Sequence, residues 1–113
     1  MTREDGSGVT VVLITAPDTE VGERLGRALV GERLAACVNI VPGVTSLYRW
    51  DGEVQRSGEV LLLVKSTVDA FERLRDRVKE LHPYDVPEII DLPVRRGEAR
   101  YLEWVREGVG SEA

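Results

Sequence analysis

Residues 60–64, Val60-Leu61-Leu62-Leu63-Val64, are apolar without a break, and residues 9–14 are nearly so. A strand points successive side chains to opposite faces. A strand with no polar alternate therefore has both faces to bury. These runs are far too short to span a membrane. Their content of valine, isoleucine and threonine favours the pleated conformation over the helical one. Whatever sheet contains these two strands must be covered on both sides. The chain has 113 residues, 42% apolar and 31% charged, so it has material for one core and one domain.

The elements around these runs can be read from their punctuation. The first strand covers residues 9–15 and stops at Ala16-Pro17-Asp18. Asp18 is suited to cap a helix, and Val21, Leu25, Ala28 and Leu29 lie on one face of it. Gly22 and Gly26 weaken that helix but permit close packing on a sheet, and Gly31 stands near its end. A long hairpin follows. Residues 35–41 read as a strand, Pro42-Gly43 interrupts it, and residues 44–50 continue it. Asp51-Gly52 is a two-residue turn signal, because both residues tolerate positive φ. Residues 53–65 return, with Ser57-Gly58 as the expected bulge or bend. Ser66-Thr67-Val68-Asp69 resembles a helix start, and Phe71, Leu74, Val78 and Leu81 form an apolar stripe that His82-Pro83 ends. Residues 88–92 read as a short strand between Pro87 and Pro93. Residues 98–107 read as a last helix with Tyr101, Leu102 and Val105 inward.

This order predicts an α+β chain: a ferredoxin-like βαββαβ sandwich with an additional C-terminal helix and a long bent hairpin between the second and third strands. The expected organisation is a flexible leader at 1–8, one domain at 9–107 and a flexible tail at 108–113. Such a sheet has helices on one face only, yet its strands are apolar on both. Little chain remains to cover the second face, so the cover is expected to be another subunit. The distal half of the hairpin, with Tyr48 and Trp50, outreaches the helices and needs a partner surface for the same reason.

Charge and cysteine usage narrow the function classes. The net charge is −5 and basic residues alternate with acidic ones, so no concentrated basic face offers itself to nucleic acid. No membrane association is expected. The single cysteine, Cys37, makes no internal disulfide, and the polar start of the chain lacks the apolar stretch of a signal peptide. A cytoplasmic protein is expected.

Four stretches occur together in a telling order. They are Glu32-Arg33-Leu34-Ala35-Ala36-Cys37-Val38-Asn39-Ile40, then Ser46-Leu47-Tyr48-Arg49-Trp50-Asp51-Gly52-Glu53, then residues 59–67, and His82-Pro83-Tyr84-Asp85-Val86-Pro87-Glu88-Ile89. Jointly they resemble the CutA family of divalent-cation tolerance proteins, over roughly residues 9–107. The resemblance implies a tight homotrimer with strand pairing between neighbours, a link to copper(II) or another divalent cation, no required cofactor and no catalytic role. It also implies a likeness to nitrogen-regulatory signalling trimers, which bind small effectors between subunits. The alternative reading is therefore a signalling trimer with an effector in an intersubunit cleft.

The residues that could carry chemistry are few. His82 is the only histidine; imidazole is a good copper or zinc ligand, and a histidine ending a helix also meets free carbonyls. The resemblance implies a copper site at His82, but the other two ligand positions of that family site hold Ile14 and Leu81. Cys37 is the other soft ligand, or a buried structural thiol between Ala36 and Val38. Tyr48, Trp50 and Tyr84 suit interface packing or an intersubunit cleft. Lys65, Arg49 and Glu88 are the polar groups that could hold an anionic ligand there. Asp51, Glu53 and Glu59 could meet hard cations or simply be solvated. No phosphate loop, zinc ribbon or calcium loop occurs in the sequence.

Overall fold

A computed structural model describes residues 6–110 of the chain. β1 (Val9–Ala16) leads to α1 (Thr19–Gly31), then to β2 (Cys37–Trp50) and β3 (Glu53–Thr67). A short 3-10 turn (Val68–Ala70) enters α2 (Phe71–Leu81), followed by β4 (Ile89–Pro93) and α3 (Ala99–Gly108). The sheet order is β2-β3-β1-β4, and every neighbouring pair is antiparallel. This is the expected α+β architecture with its extra C-terminal helix.

The local signals act as expected at several points. The Asp18 carboxylate accepts a hydrogen bond from Val21 N at 2.9 Å and starts α1. Thr67 Oγ1 accepts from Ala70 N, which starts the turn into α2. Asp51 and Gly52 have φ of 52° and 77°, as a tight hairpin turn with two positive values requires. One face of the sheet carries Val12, Ile14, Leu62 and Val64; against it pack Leu25 and Leu29 of α1 and Leu74 and Val78 of α2, all fully buried. Each such side chain contributes about 1.5–3 kcal/mol by leaving water. Gly22 and Gly26 bring α1 close: a Cβ on Gly26 would sit 3.3 Å from Val38 Cγ1.

Three expectations are corrected. The bend of the hairpin is not at Ser57-Gly58, whose pairing with Ser46 and Thr45 is regular; the register shifts only between Val41 and Val44, at Pro42-Gly43. Gly43 takes a φ of 76° there, and the one extra residue of the bulge is accommodated on β2 alone. Tyr101 does not turn inward: it is 43% exposed, while Leu102 and Val105 of the same helix are buried. The second sheet face is also not left wholly to a partner. α3 folds onto its end, where Leu102 and Val105 cluster with Val9 against Ala36 and Val94. The rest of that face keeps Val11, Leu13 and Leu63 partly exposed, with Ile90 and Leu92 open to solvent.

Residues 1–5 and 111–113 of the expected leader and tail lie outside the described residues. Within residues 6–8, Ser7 N donates to Val94 O at 3.0 Å. Gly110 N donates to Arg33 O at 2.8 Å.

Beyond the β1 pairing, which ends at Ala16 and Val60, β3 has only β2 beside it. Residues 44–50 and 53–59 thus form a free two-stranded ribbon. At about 3.3 Å per residue it projects roughly 20 Å, and it draws the molecule out to 45 × 28 × 23 Å.

Candidate functional site

The ribbon has an inner side and an outer side. Directly paired residues share a face, so Ser46 and Ser57, Tyr48 and Gln55, and Trp50 and Glu53 lie on one side. Arg49 with Val54, and Leu47 with Arg56, alternate to the other. The loop leaving α2 comes up beside the inner side. Proline at position 83 holds His82 extended, at φ −76° and ψ 137°, and so ends the helix.

His82 fixes this loop. Its side chain is buried, Nε2 lies 2.8 Å from Thr15 O and Nδ1 lies 3.1 Å from Tyr84 N. A carbonyl can only accept and a backbone amide can only donate, so Nε2 carries the proton and Nδ1 accepts. The imidazole also lies against the Tyr84 ring, with centroids 4.7 Å apart. The Tyr84 hydroxyl then donates to Glu59 Oε2 at 2.8 Å. Thr15, His82, Tyr84 and Glu59 form one connected path from β1 through the loop to β3. Burial, and then the hydrogen bond to the Glu59 carboxylate, push the Tyr84 phenol up to about 12.

Between the loop and the inner side of the ribbon lies an open cleft of about 780 Å³. Its walls include Tyr48, Trp50 and Tyr84, with the carboxylates of Glu59, Asp85 and Glu88. The Tyr48 hydroxyl and Ser57 Oγ are 2.7 Å apart across its floor. Among the described residues no basic side chain lines it. Carboxylates and aromatic faces both attract positive charge, so the cleft is suited to a cationic group.

The structure brings together four of the six expected cleft residues: Tyr48, Trp50, Tyr84 and Glu88. It separates Arg49 and Lys65 from them. Arg49 falls on the outer side of the ribbon. Lys65 pairs with Cys37 and Val11 at the far end of the sheet, where its ammonium meets Asn39 Oδ1. Within one chain the cleft is therefore acidic, and Arg49 and Lys65 do not reach it. Glu59 and Asp85 are the acidic cleft residues not assigned to it from sequence. For Glu59 the signal was there: it shares strand parity with Ser57, Gln55 and Glu53. Asp85 lies in a loop, where no periodicity points.

The two soft donors do not meet. His82 contacts the Thr15 end of β1, while Cys37 is aligned, through Lys65, with Val11. Four residues of strand put about 13 Å between those levels. No group of three or more His, Cys, Asp or Glu side chains placed to hold one metal ion occurs among the described residues. Ile14 is fully buried in the core, and Leu81 packs against it.

Comparison with known proteins places this geometry. A family model described as CutA1 divalent ion tolerance protein matches residues 10–108. The divalent-cation tolerance protein CutA of Thermus thermophilus is 61% identical over 100 residues, covering 88% of this chain and 97% of that protein. The chloroplastic protein CutA 1 of Oryza sativa is 48% identical over 96 residues, covering 85% of this chain but 54% of its own length. The crystal structure of CutA1 from Oryza sativa superposes with a TM-score of 0.92 at 42% identity, over 96% of this chain and all of that one.

Proposed function

The chain belongs to the CutA1 divalent ion tolerance family, and from that premise we propose that it is a homotrimeric, non-catalytic, cytoplasmic divalent-cation tolerance protein that binds copper(II) or another divalent cation weakly. The observation that carries this reading is the 61% identity, across nearly the whole length of both chains, to a protein of that name. The partly open second face of the sheet supports the oligomer. Val11, Leu13 and Leu63 there are apolar, and the chain's own α3 reaches only the Val9 end. The single free cysteine fits a reducing compartment. A structural relative from Archaeoglobus fulgidus is described as periplasmic.

The proposed soft ligands are His82 and Cys37, acting separately. For His82 to ligate, one of its two hydrogen bonds must be given up, which makes the binding weak. Copper(II) titration by calorimetry tests this. Binding that is weakened in His82→Ala supports the assignment, and equal binding by the variant removes it.

The volume and aromatic walls of the cleft favour a second reading, a signalling trimer that senses a small effector there. Its test is a thermal-shift screen of small metabolites and nucleotides, since a ligand of the native state raises the melting temperature.

A further inference from the structure

The outer side of the hairpin ribbon is the chemical complement of the cleft on its inner side. Arg49 and Arg56 are both exposed there, and Val54 beside them is 68% exposed. Neither arginine forms an ion pair among the described residues. The cleft presents Glu59, Asp85 and Glu88 beside Trp50 and Tyr84. Asp85 and Glu88 also form no ion pair among the described residues. The basic side and the acidic side lie on opposite faces of one two-stranded ribbon, so a chain cannot bring its own two together. A two-stranded ribbon standing alone in water is also only marginally stable. Both facts point to a second surface of the right sign.

We infer that the cleft is completed by a second copy of the chain, whose Arg49 and Arg56 face seats against Glu59, Asp85 and Glu88. The inference rests on the oligomeric reading above and adds which residues join the copies. Guanidinium groups suit this role. They pair with carboxylates in a planar, two-pronged fashion and stack on aromatic rings such as Trp50 and Tyr84. The contact joins two different patches, outer side to inner side. Such a head-to-tail contact generates a ring when its rotation closes, and a trimer is one such ring. Arg49 then does stand with Tyr84 and Glu88, as contributed by the neighbouring copy.

Charge reversal tests this on the full chain. Arg49→Glu with Arg56→Glu, and separately Asp85→Lys with Glu88→Lys, are each examined by sedimentation at physiological salt, with circular dichroism to check the fold. Each pair is expected to weaken assembly about tenfold or more. All four changes in one chain exchange the two signs and are expected to restore it. Milder Arg49→Gln and Arg56→Gln changes serve if the reversals fail to fold, and are expected to weaken assembly in the same direction. Assembly of the double variants like the parent, or failure of the fourfold variant to reassemble, overturns the pairing. A parent chain that is itself monomeric overturns the oligomeric reading as well, so the two failures are distinct.

Discussion

The Tyr84 hydroxyl donates to Glu59 Oε2 at 2.8 Å and ties the loop after α2 to the projecting part of β3. That bond favours the neutral phenol and acts together with burial. It predicts a tyrosine that titrates at about 12, above its ordinary value of 10.0. Ultraviolet titration of phenolate should show a late component that is absent in Tyr84→Phe and moves down in Glu59→Gln. The sign for stability follows. Above pH 10 the unfolded chain loses this proton before the folded one does. The contribution is therefore complete below pH 10 and is lost as pH rises through about 12. Tyr84→Phe should flatten that alkaline decline.

His82 is a structural crosslink in this fold. Its Nδ1 accepts from Tyr84 N–H, its Nε2–H donates to the Thr15 carbonyl, and the residue is 7% exposed. His82→Ala leaves the part-buried Thr15 carbonyl without its donor and should cost about 1–3 kcal/mol, measured by urea denaturation. Nitrogen NMR of the imidazole should report the tautomer protonated at Nε2.

Gly52 holds a φ of 77° at the end of the ribbon, with nothing within 4 Å of a would-be Cβ. The cost of a side chain there is purely conformational. Gly52→Ala should destabilise by about 1–2 kcal/mol in denaturant melts, without altering the core.

Leu102 anchors α3 against Val9 on the second sheet face. Leu102→Ala should lower stability by about 2 kcal/mol or more in the same melts. A neutral result would mean that α3 does not cover that face in solution.

The strands and helices were legible in the sequence because their signals are local. Asp18 caps, Asp51-Gly52 turns and His82-Pro83 terminates, each through a preference of its own backbone. Pro42-Gly43 and Ser57-Gly58 carry similar breaker signals, and only the register decides which of them bends the hairpin. Tyr101 adjoins Leu102 on the helical stripe, but α3 meets the sheet over a strip that leaves Tyr101 outside. Among the cleft residues, Tyr48, Trp50, Tyr84 and Glu88 were legible from their motifs. Lys65 shares a motif with the strand that lines the cleft, but strand pairing carries it to the far end of the sheet, which no local signal encodes. The acidic character of the cleft was invisible for the same reason: Glu59 and Asp85 are 26 residues apart in sequence and meet only through the fold.

The assembly proposed for this chain is a closed trimer. Light scattering of the intact chain at micromolar concentration measures that directly. The expected mass is three times the 12.6 kDa of one chain. A mass of 12.6 kDa, unchanged as concentration rises, would contradict the account.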